Sequence, residues 1–339
     1  MEKLKRIKAI GLISGGLDSV LAAKLIMDQG VEVTGIHLIT PFSSRSSKGA
    51  DEETIVQKQA ESLGFQYYPL YLGEEYIDLV KNPKWGYGSC MNPCIDCHIF
   101  FLQKAAELMK EEKAQFVFTG DVLEQRPMSQ KRTMLQMIEK RSGLEGLLLR
   151  PLTALRLDPT TPEKMGMVDR TLLLGIAGRS RKIQFDLAAR YGIRDFQTPA
   201  GGCLLAEPGF SARLKDLFDH DISDVNSVET LKIGRHFRLE PEVKLIVGRN
   251  ERDNMILAHL AQDADILLET EEGSSPLCIL RGVISEKTLD TAAAITRRYS
   301  KGRNNPKGVV LARHCDSGEI IRLVPETISE SVIEILRIA

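Results

Sequence analysis

The 339-residue sequence predicts an α/β domain built on a parallel sheet, followed by a smaller α+β domain. Two observations favour this fold class. Up to residue 121, apolar strand-like runs alternate with helical patterns, as in a chain of βαβ units. From residue 225, short strand-like runs dominate and only two clear helical patterns remain. We therefore expect domains at 1–178 and 225–339, joined by a connecting segment at 179–224.

The first βαβ unit begins with a strand at 7–13 and ends with a strand at 31–39. Between them, Ser14-Gly15-Gly16-Leu17-Asp18-Ser19 enters a helix. Adjacent glycines let the backbone approach a ligand closely, and a helix N-terminus presents N–H groups to an anion. The turn therefore predicts phosphate binding. A plain helix start, capped by Ser14 or Ser19, is the alternative.

Two known phosphate-binding motifs are excluded by the residues of this turn. The kinase-type P-loop requires a lysine after the turn, which this sequence lacks, and the dinucleotide fingerprint G-x-G-x-x-G is also absent.

The later elements of the first domain follow the same alternation. Ligands in open α/β sheets bind beyond the carboxyl ends of the strands, so Gly120 and Asp121 should lie near the glycine turn. The expected elements are helices at 52–63, 74–81 and 98–112, and strands at 65–72, 114–121 and 146–155. In the second domain we expect strands within 231–250, 264–270, 275–282 and 308–312, and helices at 252–262 and 286–299.

Composition restricts the function classes. The formal net charge is −1, so any nucleic-acid surface must be a local patch. No apolar run reaches transmembrane length, and the first residues lack a signal-peptide pattern. We expect a cytoplasmic protein that does not use a membrane. A homodimer is compatible with the sequence.

Three of the six cysteines lie within eight residues, at Cys90, Cys94 and Cys97, and Cys203 follows a Gly-Gly pair. Cys94-x-x-Cys97 precedes the helix expected at 98–112, whose N-terminus should lower the thiol pKa. These four cysteines allow two kinds of metal site. One is structural zinc on all four thiolates, and the other is an iron–sulfur cluster on Cys94, Cys97 and Cys203 that leaves one iron without a protein ligand. They also allow thiol chemistry at Cys97 and Cys203, through a persulfide or a disulfide.

The turn at 14–19 resembles the PP-loop of the ATP pyrophosphatases, whose fold is Rossmann-like (adenine nucleotide alpha hydrolase-like). The resemblance implies that ATP is cleaved to AMP and pyrophosphate, with Asp18 near Mg²⁺. The nucleotide-binding residues expected on this basis are Ser14, Gly15, Gly16, Leu17, Asp18, Ser19, His37 and Gly120. The expected catalytic residues are Asp18, Asp121, Cys97 and Cys203.

Over residues 5–210 the sequence resembles the tRNA thiouridine synthases, through the PP-loop, "NPCIDCH" and "TGDVLEQRPMSQ". The resemblance to the cluster-dependent members implies a 4Fe–4S cluster on Cys94, Cys97 and Cys203. Cys90 lies outside that pattern, so a zinc site that includes Cys90 stays an alternative. No rhodanese-like segment is recognisable, so the sulfur donor is expected to be free sulfide or a product of a cysteine desulfurase.

Residues 230–310 resemble the RNA-binding domain of NFACT proteins, through "VGRN", "ILLE" and "GSSPLCILR". The resemblance implies RNA, and tRNA in particular, as a partner. Solvated surface charge is the alternative explanation for the cations of this region. The expected RNA-binding residues are Arg249, Arg252, Arg297, Arg298, Lys301 and Arg303, with Arg281 and Lys307 as further cations. Candidates for AMP or tRNA phosphates in the first domain are Arg150, Arg179, Arg181 and Lys182.

Together these features predict an ATP-dependent tRNA sulfurtransferase that adenylates a uridine carbonyl oxygen and replaces it with sulfur. The 4-thiouridine product is favoured over 2-thiouridine. One alternative is a PP-loop ligase or amidotransferase-like enzyme that acts on a small molecule and has a zinc-bound loop. Another is an RNA-binding quality-control factor with a vestigial PP-loop.

Overall fold

The computed structural model describes residues 6–43, 54–197, 203–305 and 307–338. The chain divides into two compact units, Met1–Cys203 and Leu204–Ala339. The segment at 179–224, expected as a connector, is shared between them. Its first helix packs on the first helix of the chain, and its second helix packs within the C-terminal unit.

The first unit is built on a five-stranded sheet with all neighbouring strands parallel. Its strands are β1 Lys8–Leu12, β2 Glu32–Ile39, β3 Gln66–Tyr71, β4 Phe116–Thr119 and β5 Leu148–Leu149. Its helices are α1 Leu17–Met27, α2 Ile55–Leu63, α3 Glu74–Lys81, α4 Cys94–Glu111, α5 Arg132–Arg141, α6 Thr161–Lys164 and α7 Lys182–Tyr191. The predicted α/β class is confirmed.

Both faces of this sheet are covered by apolar helix surfaces. One core joins Leu21 of α1 to Phe118 of β4 and Ala188 of α7. The other joins Leu102 of α4 to Val117 of β4. Burial on both faces explains why the strands read as continuous apolar runs.

In the strand order β3-β2-β1-β4-β5, strands β2 and β3 are added on one side of β1, and β4 and β5 on the other side. At the β1/β4 pair the connections leave on opposite faces, which opens a crevice beyond the carboxyl ends of the two strands. The loop at 14–19 follows β1, and Gly120 and Asp121 follow β4. The fold therefore places the predicted phosphate loop and the predicted catalytic aspartate at the same crevice.

Helix α4 begins at Cys94, four residues before the position expected from the sequence. The Cys97 N–H donates to the Pro93 carbonyl oxygen at 2.9 Å. Asp96 is 6% exposed and accepts the backbone N–H groups of Lys84 and Trp85 at 2.9 and 3.2 Å. These bonds fold the preceding loop onto the helix start, so Cys94 and Cys97 lie within the first turn of α4 and not before it.

The second unit is an antiparallel six-stranded sheet of order β11-β10-β8-β9-β7-β6. Helix α11 covers one face, and α10 contributes to the core on the other. The strands are β6 Arg235–Glu240, β7 Val243–Val247, β8 Ile266–Thr270, β9 Cys278–Gly282, β10 Val310–His314 and β11 Ile320–Leu323. The helices are α8 Pro208–Asp219, α9 Val225–Thr230, α10 Glu251–Leu260, α11 Glu286–Arg298 and α12 Glu330–Leu336. The predicted α+β character is confirmed.

Within the described residues, no helix is both long enough and apolar enough to cross a membrane.

Candidate nucleotide and cysteine sites

The loop at 14–19 is closed by the Ser19 hydroxyl. This hydroxyl donates to the Gly16 carbonyl oxygen at 2.8 Å and accepts the Ser14 N–H at 3.3 Å. Gly16 is the N-cap of α1, and no described side chain caps this helix. Leu17 is fully buried, so it can offer only its backbone N–H. The helix therefore does not start with a serine cap, and its first amides suit an anion.

Two glycines allow the close approaches that form this crevice. Gly15 has φ +78°, and a Cβ there would lie 2.7 Å from a methyl carbon of Ile55. A Cβ on Gly120 would lie 2.5 Å from the backbone of Asp18 and Ser19. The end of β4 thus touches the first turn of α1, and no residue with a side chain fits there without displacement.

Asp18 uses only one of its carboxylate oxygens for hydrogen bonds. Its Oδ2 accepts from Gln125 Nε2 at 2.8 Å and from an Arg181 terminal nitrogen at 3.2 Å. Its Oδ1 is buried and has no hydrogen-bond partner among the described residues. A buried oxygen without a partner is costly, and carboxylate oxygens are the ligands that Mg²⁺ prefers. The donor set therefore fits a divalent cation.

Asp121 is held at both oxygens. The Thr119 hydroxyl donates to Oδ2 and the Gln130 amide to Oδ1, each at 2.9 Å. Burial acts to raise the pKa of Asp121, but His98, Arg150 and these hydrogen bonds outweigh it, and the pKa is lowered. Asp121 is thus held as a carboxylate next to His98, the residue that follows Cys97.

His37 lies on β2, the strand between β1 and β3. Burial lowers its pKa to about 4, so the ring is neutral at pH 7. Its Nδ1 is 3.2 Å from the Tyr67 hydroxyl, which lies 3.2 Å from the hydroxyl of Thr54, the N-cap of α2. The contacts described for His37 do not reach the loop at 14–19, and its role in nucleotide binding stays a prediction.

The hydroxyl of Tyr76 on α3 contacts one predicted cysteine, Cys97, and two others, Cys94 and Cys203, act on it electrostatically. This hydroxyl is 2.9 Å from Cys97 Sγ, and the tyrosine is 2% exposed. Burial, followed by the charges of Cys97, Cys203 and Cys94, raises the pKa of Tyr76. Residues 94, 97 and 203 therefore lie in one region of the first unit, although residue 203 is more than a hundred positions further along the sequence.

The segment leading to Cys203 starts at the loop at 14–19. Gln197 forms a parallel bridge with Gly16, and Cys203 forms an antiparallel bridge with Ser43, just beyond β2. The predicted turn at 201–202 lies outside the described residues. The two ends of the segment connect the crevice at β1 with the thiols around Tyr76.

The thiols do not show the lowered pKa expected at a helix start. Burial raises the pKa of Cys97 to about 12, against the opposing effect of its hydrogen bond with Tyr76, and burial also raises the pKa of Cys94. Cys90 is exposed and has φ 53°. Across the described ranges, no three His, Cys, Asp or Glu side chains are arranged to hold a single metal ion. The zinc and cluster ligand sets both stay predictions.

The predicted RNA-binding cations differ in exposure. Arg297 is 3% exposed on α11, so its side chain is buried in the domain. Arg298 is partly exposed, and its guanidinium group donates to Glu330 at 2.9 Å. Arg281 donates to Asp265 and to three other internal acceptors. The exposed members of the predicted set are Arg249, Arg252, Lys301 and Arg303.

Sequence reasoning passed over Gln184, His98 and Tyr76. Gln184 and Ala188 are the buried positions of α7, four residues apart, so helical spacing could have marked the glutamine as inward-facing. Nothing in the local sequence shows that the hydroxyl of Tyr76 meets a cysteine. Tyr76 and His98 become visible only after α3 and α4 have packed.

Comparison with known proteins matches each unit to a different family. Residues 5–159 match the model of the thiamine biosynthesis protein (ThiI) family, and residues 234–332 match the NFACT protein RNA binding domain. The first unit is therefore similar to the ThiI family, and the second unit is similar to the NFACT protein RNA binding domain. Both resemblances predicted from the sequence are confirmed.

Individual relatives cover parts of the chain. It is 31% identical over 124 residues to a probable tRNA sulfurtransferase of Methanosarcina mazei, covering 35% of this chain and 29% of the relative. It is 31% identical over 103 residues to a tRNA-specific 2-thiouridylase MnmA of Tropheryma whipplei, covering 28% of each. The matched segment thus spans less than a third of either relative. A crystal structure of a 4-thiouridine synthetase–RNA complex with bound ATP aligns with a TM-score of 0.35 and 17% identity, over 66% of this chain and 52% of that one.

Proposed function

We propose that this chain is an ATP-dependent tRNA sulfurtransferase, with 4-thiouridine favoured over 2-thiouridine as its product. One observation carries the proposal. Gly120 touches the Asp18 backbone at the phosphate loop, while the adjacent Asp121 lies beside His98, next to Cys97. This supports a site at which the predicted phosphate loop and the predicted thiols face the same edge of the sheet, as activation by ATP followed by sulfur transfer requires.

The nucleotide half of the reaction is assigned to the first turn of α1. Its uncapped amides would hold the pyrophosphate part of ATP, and Asp18 Oδ1 would bind Mg²⁺. Bound Mg²⁺ would neutralise the charge that develops on the leaving pyrophosphate. Asp121 is too well satisfied by Thr119 and Gln130 to need a metal, and we assign it to orienting polar groups at the strand ends.

The chemistry has two balanced steps. The uridine carbonyl oxygen attacks the α-phosphorus of ATP, a new P–O bond forms, and the bond to pyrophosphate breaks. Sulfide then attacks the same ring carbon, a C–S bond forms, and AMP leaves with the original oxygen. No oxidant or reductant is consumed when the donor is sulfide. The sulfide would be free or derived from a cysteine desulfurase.

We assign Cys94, Cys97 and Cys203 to a 4Fe–4S cluster, with zinc on these residues and Cys90 as the alternative. When bound, such a cluster would supply an iron without a protein ligand, at which sulfur can bind. As thiolates, the form in which they would bind a metal, these three cysteines would act electrostatically on the Tyr76 hydroxyl, which supports a shared site. Tyr76 would donate a hydrogen bond to Cys97 and shield it from water.

We assign the second unit to tRNA binding through exposed cations. Arg249, Arg252, Lys301 and Arg303 are exposed in a protein of net charge −1. Cations of this kind position a nucleic acid through its phosphates without reading its sequence.

Mass spectrometry of tRNA nucleosides tests the proposed reaction. Purified protein is incubated anaerobically with ATP, Mg²⁺, sulfide and unmodified tRNA, and both thiouridines and pyrophosphate are quantified. We expect 4-thiouridine to appear together with an equal amount of pyrophosphate. Pyrophosphate release that requires a small molecule instead of tRNA, or absence of both thiouridines, would contradict the proposal.

Elemental analysis separates the two metal assignments, with Cys90→Ala as the matched control. Under the cluster assignment, anaerobic wild-type protein contains iron, and Cys90→Ala keeps it. Cys94→Ala, Cys97→Ala and Cys203→Ala then each lose both iron and thiolation. Zinc without iron in the wild type, lost in Cys90→Ala, would sink the cluster assignment and favour a four-thiolate site.

A further inference from the structure

Gln184 is a fully buried glutamine in the first turn of α7. Burying an amide costs free energy unless its polar atoms find partners. Its Nε2 donates to Gln125 Oε1 at 3.0 Å. Its Oε1 is buried and, among the described residues, has no hydrogen-bond partner. The side chain is therefore held through its NH₂ group alone. A role in function would explain why a glutamine is buried here with only one of its polar atoms hydrogen-bonded.

Two hydrogen bonds link Gln184 through Gln125 to Asp18, and both must be donated in the direction of Asp18. A carboxylate has no proton to donate, so Gln125 must turn its NH₂ group towards Asp18, where the distance is 2.8 Å. Its Oε1 then faces Gln184, which must in turn present its own NH₂ group. The amide orientations follow from the chemistry of the three side chains and do not depend on telling oxygen from nitrogen.

Arg181 approaches the same carboxylate from the same helix. It precedes Gln184 by three residues, and its terminal nitrogen lies 3.2 Å from Asp18 Oδ2. Both donors thus converge on Oδ2, while Oδ1 stays buried without a partner in the described chain. A carboxylate fixed through one oxygen has its other oxygen fixed in direction as well.

We propose that Gln184 is a positioning residue for the metal–nucleotide site. It orients the Gln125 amide, and through it the Asp18 carboxylate, so that Oδ1 is preset to bind the divalent cation that accompanies ATP. The inference rests on the proposed function only in taking ATP with a divalent cation as the ligand. It assigns no contact between Gln184 and the nucleotide itself.

Gln184→Glu tests this role because it replaces the donor by an acceptor of nearly the same shape. The glutamate would face Gln125 Oε1, and turning the Gln125 amide to relieve that contact would place an oxygen against Asp18. We expect the enhancement of ATP affinity by Mg²⁺ to fall about tenfold, the equivalent of one hydrogen bond to a charged group. Affinity for ATP in EDTA should change less than about twofold. Calorimetric titration of the full chain measures both.

Matched variants separate positioning from general damage. Arg190→Gln makes the same change in net charge on the exposed face of α7, and we expect wild-type binding. Gln184→Met keeps the volume of the side chain but removes the donor. We expect it to lose less of the Mg²⁺ enhancement than Gln184→Glu, and it replaces that variant in the test if Gln184→Glu does not fold. In a Gln125→Leu background, Gln184→Glu should add nothing, because its effect passes through Gln125.

Wild-type Mg²⁺ enhancement in both Gln184 variants would overturn the inference. So would an equal loss caused by Gln184→Glu with and without Gln125. A wild-type protein that binds ATP with Mg²⁺ but does not thiolate tRNA would refute the sulfurtransferase and leave the positioning role standing. A wild-type protein that binds no ATP would refute both.

Discussion

Asp18 in the first unit and Asp216 in the second are both largely buried carboxylates, with side-chain exposures of 17% and 12%. They are satisfied differently. Asp216 accepts from Arg238 at both oxygens, at 3.1 and 2.6 Å, and from Lys244 at 3.2 Å. Asp18 receives both of its donors at one oxygen. A closed ion network stabilises a fold, whereas an open carboxylate oxygen is suited to a ligand.

Asp265 shows that the closed pattern recurs in the second unit. It is 1% exposed and accepts two hydrogen bonds from Arg281, at 2.8 and 2.7 Å, and a third from the Gln262 N–H. Bidentate pairs of this kind specify geometry as well as adding energy. In the second unit, the buried charges thus hold α8, α9 and the sheet together, whereas the cations that we propose for RNA binding are exposed.

The largest expected effect comes from opening the closed network. Asp216→Ala would leave Lys244, 5% exposed, beside Arg238 without its carboxylate. We expect the second unit to lose about 3 kcal/mol or more of unfolding free energy. Urea denaturation followed by circular dichroism measures it. Trp85, the only tryptophan, lies in the first unit, so its fluorescence transition should stay in place.

Asp219→Ala is the matched control for this prediction. Asp219 pairs with Lys215 on the exposed side of the same helix, with side-chain exposures of 54% and 67%. Exposed pairs contribute about 0.5 kcal/mol or less, so the variant should unfold like the wild type. Equal stabilities of the Asp216 and Asp219 variants would mean that the buried network is not what stabilises the unit.

A smaller effect is expected from the exposed cations. Replacing Arg249, Arg252, Lys301 and Arg303 by glutamine should weaken tRNA binding about tenfold or more and reduce its salt dependence, because fewer counterions are released. Filter binding at several salt concentrations measures both quantities. Arg322→Gln, at an exposed arginine paired with Glu271, should have little effect. Unchanged affinity in the fourfold variant would assign the domain another partner.

A further effect concerns pH and the first unit. The pKa of His37 is lowered to about 4, so the folded state binds fewer protons than the unfolded state between pH 6.5 and 4. The contribution of His37 is fully present above pH 6.5 and falls by at most about 1.4 kcal/mol per pH unit as the pH drops through this window, or about 3 kcal/mol over the whole window. Urea denaturation followed by Trp85 fluorescence should show a shallower pH dependence in His37→Gln. An unchanged slope would show that the pKa of His37 is the same in the folded and unfolded states.

The sequence predicted the crevice because its parts are local or follow from parallel pairing. Gly15, Gly120 and the apolar runs around them are sufficient to place two strand ends at one edge. The start of α4 was misplaced because Asp96 binds the backbone of residues 84 and 85, a contact between segments that no local pattern encodes. The same holds for Arg297, whose burial depends on how α11 meets the sheet. Gln184 was missed because a glutamine in a helix is usually solvated.

The C-terminal elements show a similar limit. Strand β11 and helix α12 were not predicted, since Ile320 and Ile335 are exposed and the alternation of apolar and polar residues is weak. These elements form at the margin of the sheet, where β10 supplies the hydrogen bonds of β11. Their structure depends on a neighbouring strand more than on their own sequence.

The open oxygen of Asp18 is the central claim, and Asp18→Asn tests it most directly. Asparagine keeps the shape but replaces one carboxylate oxygen by an NH₂ group, which cannot bind a cation. We predict that tRNA-dependent pyrophosphate release falls about a hundredfold or more while the urea midpoint reported by Trp85 stays within error of the wild type. Arg181 retains an acceptor in the amide oxygen. Wild-type pyrophosphate release by Asp18→Asn, or loss of release accompanied by unfolding of the first unit, would contradict the account.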